Sequence, residues 1–208
     1  MKLYYFDIYG RAEAIRMALT YAKVPFEDVR ITGEDLQKMK AEGKLTYGQV
    51  PALELDGEFY TQSYAILRML GKKYGLYPED EKVAQRVDAV MDYIYDLGKK
   101  FEATMTKPTE EEKKEAALEV INGAMKDLVK TIDTLIAKNG NWHVVGDKLT
   151  IADIMVGCLC YNSLINEEGP YYAPINKLLE GNENMLKFIE AFKGELGEYL
   201  ASRPKRPY

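Results

Sequence analysis

Residues 52–60 read Ala-Leu-Glu-Leu-Asp-Gly-Glu-Phe-Tyr, and this stretch predicts a tight β-hairpin. Asp56-Gly57 supplies the two residues of positive φ that a two-residue hairpin turn requires. A helix over Ser63–Tyr74 is predicted directly after it, with Ser63 as its N-cap and Gly75 at its end. The hairpin therefore contributes two antiparallel strands to the sheet that the preceding residues form.

Strand and helix signals alternate in the residues before the hairpin. Lys2–Phe6 is apolar and predicts a buried strand, and Arg11–Lys23 carries apolar residues at helical spacing. Phe26–Ile31 alternates apolar and polar side chains and predicts a second strand, after which Thr32 can cap a helix over Glu34–Glu42. The order β-α-β-α-β-β-α indicates an α/β domain with a mixed sheet, which we assign to residues 1–75.

The second half of the chain carries helix signals only. Residues 76–81 are predicted to be a linker and residues 82–208 an all-helical domain. A stripe of apolar residues at alternating spacings of four and three predicts the first long helix. That stripe consists of Val83, Val87, Val90, Ile94, Leu97 and Phe101; later helices begin at the capping pairs Thr109–Glu112 and Thr150–Asp153, and two short ones are predicted at Asn184–Gly194 and Glu195–Ser202.

Composition and charge exclude several classes of protein. With 47% hydrophobic and 29% charged residues, the chain is neither disordered nor collagen-like, and its net charge of −5 argues against a nucleic-acid partner. Cys158, Cys160 and the single histidine, His143, are too few for a disulfide framework or a cysteine- or histidine-rich metal site, so no metal is expected. Without a signal-peptide cleavage site or an apolar window near ~18 residues, the sequence predicts a cytoplasmic protein with no membrane partner.

Tyr5 and Arg11 are candidate functional residues at the start of the chain. Tyr5 lies near the carboxyl end of the first strand, the edge at which α/β sheets place ligands, although a core tyrosine is the alternative. Arg11 begins the first helix, where a cation is unfavourable to the helix dipole. That position is a reason to expect a functional role, and an ordinary surface arginine is the alternative.

Two further candidates flank the hairpin. Pro51 forces Val50 into an extended conformation, and a cis bond there would leave the Val50 main chain free to pair with an extended peptide. The alternative is an ordinary proline at the start of a strand. Gln62-Ser63 precedes a helix, where a hydroxyl and free N–H groups bind a carboxylate well; the alternative is a plain N-cap.

The order of these features resembles the cytosolic glutathione transferases, and within them the sigma class is most similar. The resemblance covers essentially the whole chain and implies a thioredoxin-like first domain that binds glutathione. It is carried by the segments Leu3-Tyr4-Tyr5-Phe6, Gly10-Arg11-Ala12-Glu13, Gly48-Gln49-Val50-Pro51, Asp56-Gly57, Gln62-Ser63-Tyr64-Ala65-Ile66, Val87-Asp88-Ala89 and Leu149-Thr150-Ile151-Ala152-Asp153.

The resemblance implies a role for each matching residue. Tyr5 and Arg11 would be catalytic, with the Tyr5 hydroxyl bonded to the glutathione sulfur. Leu36, Lys40 and Gln49 would lie at the glycyl end, where Leu36 replaces a tryptophan of many sigma-class relatives and Gln49 a lysine of some. The remaining glutathione contacts would be Val50 and Pro51 to the cysteinyl unit, Gln62 and Ser63 to the γ-glutamyl carboxylate, and Asp96 to the γ-glutamyl amine held by the neighbouring subunit.

The activity implied is attack of the glutathione thiolate on a small hydrophobic electrophile, a reaction of detoxification, in a homodimer without a metal. A glutathione-dependent isomerase acting on a prostaglandin-like endoperoxide is the alternative enzyme, and a non-enzymatic glutathione- or ligand-binding protein is the third possibility. A thiol–disulfide oxidoreductase is disfavoured, since no cysteine lies near the first helix. The acceptor pocket implied by the resemblance consists of Gly98, Met105, Met155 and Leu159, closed by the tail near Tyr208.

Overall fold

The computed structural model describes residues 1–207, and its first part is built on one four-stranded sheet. The strands are β1 (Lys2–Tyr5), β2 (Glu27–Arg30), β3 (Ala52–Leu55) and β4 (Glu58–Thr61), in the spatial order β2-β1-β3-β4. β1 is parallel to β2, whereas β3 is antiparallel to both β1 and β4. The mixed sheet and its hairpin therefore agree with the prediction.

Helices cover both faces of this sheet. A 3₁₀ turn at Gly10–Ala12 leads into α1 (Glu13–Tyr21), which packs beside α3 (Ser63–Lys73) on one face, and α2 (Gly33–Ala41) covers the other. This is a thioredoxin-like arrangement, and the predicted order β-α-β-α-β-β-α is confirmed. The first face buries Leu3, Ile15, Leu19, Leu53, Ile66 and Leu70, and the second buries Ile31, Met39, Leu45 and Ala52.

The rest of the chain is helical, as predicted. A π-helical turn at Ile121–Met125 joins the second and third of its helices, and another at Cys160–Leu164 extends the fourth. One apolar core runs through these helices and reaches Ala14, Met17 and Ala18 of α1. The helices are α4 (Glu81–Thr104), α5 (Glu110–Val120), α6 (Lys126–Asn139), α7 (Ile151–Leu159), α8 (Tyr172–Asn176) and α9 (Glu183–Ser202).

Two local predictions are wrong. Ser63 is not an N-cap: it is the first residue of α3, and the cap position belongs to Gln62, whose side chain makes no capping hydrogen bond. The last two predicted helices are one helix, α9, which runs through Gly194-Glu195 and bends at Leu196, where φ is −127°. The bend keeps Leu196 buried, so packing continues across the break that the sequence indicated.

The predicted capping pair at α7 is confirmed and deeply buried. One carboxylate oxygen of Asp153 accepts from the Val144 N–H at 2.7 Å, and the other accepts from the Thr150 N–H at 2.8 Å. α7 packs against α1 and α4, so this capping box stabilises the helix that links the sheet to the helical core. Within residues 1–207, no helix has the length and apolar character needed to cross a membrane.

Candidate active site

Tyr5 ends β1, with 7% of its surface exposed and its hydroxyl against the start of α1. The hydroxyl oxygen accepts a 3.2 Å hydrogen bond from the main-chain N–H of Arg11. A Cβ on residue 10 would lie 2.7 Å from that hydroxyl, so only Gly10, at φ +44°, fits there. Among the described residues nothing accepts the hydroxyl's own proton. A phenol in this state can donate its proton to an anionic atom placed beside it.

The Arg11 side chain forms an ion pair with Glu102 of α4. Glu102 also forms an ion pair with Lys99, with 2.6 Å between its carboxylate oxygen and the Lys99 Nζ. The residue that supports Tyr5 through its main chain thus ties the sheet to the helical region through its side chain. The sequence gives no sign of Glu102 as a partner, because 91 residues separate it from Arg11 and nothing local marks the pairing.

The main chain around Val50 is arranged for contact with a ligand. The peptide bond between Val50 and Pro51 is cis, which is the first of the two alternatives that the sequence left open. No loop or turn hydrogen bond within residues 1–207 involves the Val50 main chain. The Val50 side chain packs against the apolar clusters of both sheet faces.

Three of the candidates for the glycyl end lie near Val50. The Gln62 amide donates to the Gln49 side-chain oxygen at 3.3 Å, which brings the start of α3 to the loop before β3. Lys40 lies against Gly48, since a Cβ there would be 3.5 Å from its Cε. Leu36 packs on the same apolar cluster as Val50. The structure therefore brings these side chains to the loop that precedes β3.

The first turn of α3 begins without a side-chain cap. Gln62 has φ +71°, a conformation that costs a non-glycine residue roughly 1–3 kcal/mol and that clusters at ligand-binding sites. Ser63 follows, with 9% of its surface exposed, and its hydroxyl makes no hydrogen bond to any described residue. The free N–H groups of this turn and the Ser63 hydroxyl together favour an anion such as a carboxylate.

The remaining candidates are more dispersed. Asp96 is exposed on α4 and makes no ion pair with any residue from 1 to 207. Gly98 and Met105 are exposed on the side of α4 that carries Glu102, since they lie four residues before it and three after it. Met155 is buried in the helical core, Leu159 is half-buried, and Tyr208 lies outside the described residues.

The chain matches two family models, "Glutathione S-transferase, N-terminal domain" over residues 1–72 and "Glutathione S-transferase, C-terminal domain" over residues 95–203. The chain belongs to the glutathione S-transferase family. It is 32% identical to glutathione S-transferase 1 of Ascaris suum, over 100% of this chain and 98% of that protein. It is 34% identical to human glutathione S-transferase A1, over 92% of this chain and 86% of that protein.

A similar solved structure carries a different activity in its name. Prostaglandin synthase D of Nilaparvata lugens superposes with a TM-score of 0.81 at 28% identity, over 98% of both chains. Glutathione S-transferases use glutathione as a co-substrate with electrophiles, and they typically form dimers. The grouping of Tyr5, Val50 and Ser63 at one edge of the sheet lies in the segment that the N-terminal family model matches.

Proposed function

We propose that this protein is a sigma-class-like transferase that conjugates the glutathione thiolate to small hydrophobic electrophiles. The observation that carries the proposal is the Tyr5 hydroxyl, which accepts the Arg11 N–H and keeps its own proton free to donate. Family membership supplies glutathione as the co-substrate. Tyr5 and Arg11 are the catalytic pair, the first through its hydroxyl and the second through its main-chain N–H.

The chemistry follows from that hydrogen bond. A bond donated to the sulfur favours the thiolate over the thiol, and lowers the thiol pKa from about 8.5 towards neutrality. The thiol proton leaves to solvent, and the thiolate attacks an electrophilic carbon. A carbon–sulfur bond forms while the leaving group departs with its bonding electrons. The Arg11 N–H withdraws electron density from the phenol oxygen and so strengthens Tyr5 as a donor.

The glutathione contacts extend along the sheet edge from Tyr5. Val50 and Pro51 present their main chain to the cysteinyl unit, and Leu36, Lys40 and Gln49 hold the glycyl end. Gln62 and Ser63 bind the γ-glutamyl carboxylate at the start of α3. Asp96 reaches the γ-glutamyl amine in the other subunit of a homodimer, which gives its exposed, unpaired carboxylate a partner.

The acceptor pocket belongs to the helical part of the chain. We place it at Gly98, Met105, Met155 and Leu159, with the tail near Tyr208 closing it. Gly98 and Met105 support this placement, since they flank Glu102, the partner of Arg11. Residues 1–75 then form the glutathione-binding domain, residues 76–81 the linker and residues 82–208 the acceptor domain, in a cytoplasmic enzyme of detoxification.

Tyr5→Phe tests the proposal. The substitution removes one oxygen, and we expect turnover with an aryl halide to fall by roughly ten- to a thousandfold, the range for losing one acid–base or oxyanion donor. The pKa of bound glutathione should rise while its affinity changes little. Tyr4→Phe is the matched control, because the adjacent Tyr4 hydroxyl donates to Glu54 instead. Wild-type turnover in Tyr5→Phe would contradict the assignment.

A glutathione-dependent isomerase of prostaglandin-like endoperoxides is the second candidate function. The likeness to the prostaglandin synthase of Nilaparvata lugens favours it, and the same thiolate would serve. Parallel assays with an aryl halide and with an endoperoxide decide between the two activities. A protein that binds glutathione but turns over neither substrate would be the non-enzymatic alternative.

A further inference from the structure

The loop between Tyr5 and Arg11 contains a second buried tyrosine that the proposed chemistry does not use. Tyr9 is 5% exposed, and its hydroxyl donates to the Pro204 carbonyl at 2.9 Å. The same hydroxyl accepts from the Arg206 N–H at 3.1 Å, and the Arg203 guanidinium lies 4.1 Å from the centre of its ring. The last described residues, 203–207, which we call the C-terminal tail, thus contact both the hydroxyl and the ring of Tyr9.

The C-terminal tail is itself anchored at several points. The Arg206 guanidinium donates to the Asp7 carboxylate at 2.7 Å and to the Asp7 carbonyl at 3.3 Å. Asn166 donates to the Arg206 carbonyl at 3.0 Å. Arg203 is paired with the buried Glu13 of α1 at 2.9 Å. The tail therefore bridges the helical core and the loop after β1, with contacts to both.

Arg16 and Arg30 donate hydrogen bonds to main-chain carbonyls of the same loop. The buried Arg16 donates to the carbonyls of Ile8 and Tyr9, each at 3.1 Å, and Arg30 donates to the Ile8 carbonyl at 3.1 Å. With these carbonyls facing the arginines, the chain turns at Gly10 and directs the Arg11 N–H to the Tyr5 hydroxyl. Tyr9 is thus fixed at both its carbonyl and its hydroxyl, immediately before that turn.

We propose that Tyr9 is a positioning residue through which the C-terminal tail sets the hydrogen bond between the Arg11 N–H and the Tyr5 hydroxyl. The inference rests on the proposed function of Tyr5. Only one residue separates Tyr9 from Arg11, and it is Gly10, the glycine whose missing side chain makes room for the Tyr5 ring. A shift of Tyr9 moves that turn, and with it the N–H that supports the phenol.

Tyr9→Phe and Arg206→Met test the inference, with Lys205→Met as the matched control. Tyr9→Phe keeps the ring and removes both hydroxyl contacts. Arg206→Met removes the side-chain contacts of the tail to Asp7, and it is the second variant in case Tyr9→Phe folds poorly. Lys205 is a neighbouring cation whose only ion pair within the described chain is a 3.7 Å surface pair with Glu168. Three measurements apply to each variant: steady-state kinetics, the ultraviolet absorbance of bound glutathione thiolate against pH, and amide exchange of residues 6–11.

We expect kcat to fall about tenfold or more in Tyr9→Phe and Arg206→Met, in the range for a displaced catalytic geometry, with KM for glutathione within about twofold. The thiolate titration should move to higher pH and exchange of the loop amides should quicken, whereas Lys205→Met should match the wild type. An unchanged titration in both variants, or an equal change in Lys205→Met, overturns the inference. If Tyr5→Phe also leaves the titration unchanged, the proposed function of Tyr5 has failed and this inference with it; a normal Tyr9→Phe beside an impaired Tyr5→Phe overturns the inference alone.

Discussion

α3 and α7 both begin with a hydroxyl-bearing residue near their first turn, but only the N-terminus of α7 is capped by side chains. At α7 the Thr150 hydroxyl and the Asp153 carboxylate accept main-chain N–H groups in a complete capping box. At α3 the cap position is occupied by Gln62 in a positive-φ conformation, and its side chain does not bond to the helix. The Ser63 hydroxyl has no partner within residues 1–207.

The two N-termini differ in what can satisfy their free N–H groups. The first four N–H groups of a helix have no partner inside it, and either a side chain or a ligand can satisfy them. At α7 the chain supplies its own acceptors, so that N-terminus contributes to stability alone. At α3 no residue from 1 to 207 caps the helix through its side chain, while Gln49 lies close by, and we propose that the carboxylate of glutathione binds this N-terminus. Substitutions at the two ends should therefore change different quantities.

Asp153→Ala should give the largest effect, on stability. The substitution leaves the buried N–H groups of Val144 and Thr150 without acceptors, and we expect the free energy of unfolding to fall by about 3 kcal/mol. Glutathione affinity of the folded protein should not change. Urea unfolding and calorimetry measure the two quantities. Asp35→Ala is the matched control, since its capping box on α2 is exposed and its loss should matter less.

The pH dependence of stability sharpens the same contrast. Burial raises the pKa of Asp153 to about 6, against the hydrogen bonds from Val144 and Thr150 that lower it. Because this folded-state pKa lies above the unfolded value, the contribution is full below pH ~4 and is lost as the pH rises through about 6. Lowering the pH from 7 to 4 should therefore favour the wild type over Asp153→Asn by about 3 kcal/mol.

The titration of His143 has the opposite effect on the free energy of unfolding, so its contribution must be separated from that of Asp153. Burial lowers the pKa of His143, so its contribution is present above its ordinary pKa and is lost as the pH falls through the lowered value. Because His143 Nδ1 lies 3.8 Å from the Asp153 carboxylate, its contribution does not cancel between the two proteins, and both are compared in a His143→Gln background. A difference that stays constant between pH 4 and 7 would show that Asp153 keeps an ordinary pKa.

The two helix starts also show what the sequence predicts and what it does not. The capping box at α7 depends on two residues three apart, and it was predicted correctly, as were the hairpin and the order of strands and helices. The start of α3 was predicted wrongly, because the Gln62 conformation accompanies a contact with Gln49, thirteen residues earlier. Local spacing is set by helix and turn geometry, whereas such contacts depend on how whole elements pack.

The same reasoning applies to the candidate site. The positions of Tyr5, Val50 and Ser63 follow from motifs beside single elements, and the structure groups them. The pairing of Arg11 with Glu102 and the contact of Tyr9 with Pro204 join residues 91 and 195 positions apart. No periodicity or motif in the sequence indicates either contact, because both arise where the helical region folds back on the sheet.

Ser63→Ala should affect binding and leave stability nearly unchanged. If the hydroxyl holds the γ-glutamyl carboxylate, its loss weakens glutathione by about 1–3 kcal/mol, the usual cost of a hydrogen bond to a charged group. Thr150→Ala is the counterpart, with a stability loss of about 0.5–2 kcal/mol and unchanged binding. Calorimetry on both variants completes the comparison. Equal glutathione affinity in Ser63→Ala and wild type would make Ser63 merely the first residue of α3.

Gln62→Gly should give the smallest change, and it tests why α3 begins as it does. Glycine adopts φ +71° without a steric penalty, but it is more flexible in the unfolded chain, so the free energy of unfolding should rise by at most about 1 kcal/mol. Glutathione should bind more weakly, since the Gln62 side chain is lost. Lys23→Gly is the matched control: Lys23 also has a positive φ, +54°, but is exposed at the end of α1. Both substitutions should leave the fold equally stable or slightly more stable, and only Gln62→Gly should weaken binding.

Two results would contradict this interpretation of the start of α3. A similar loss of affinity in both variants would mean that flexibility, rather than the Gln62 side chain, controls the site. A large loss of stability in Gln62→Gly would mean that the hydrogen bond from Gln62 to Gln49 holds α3 in place.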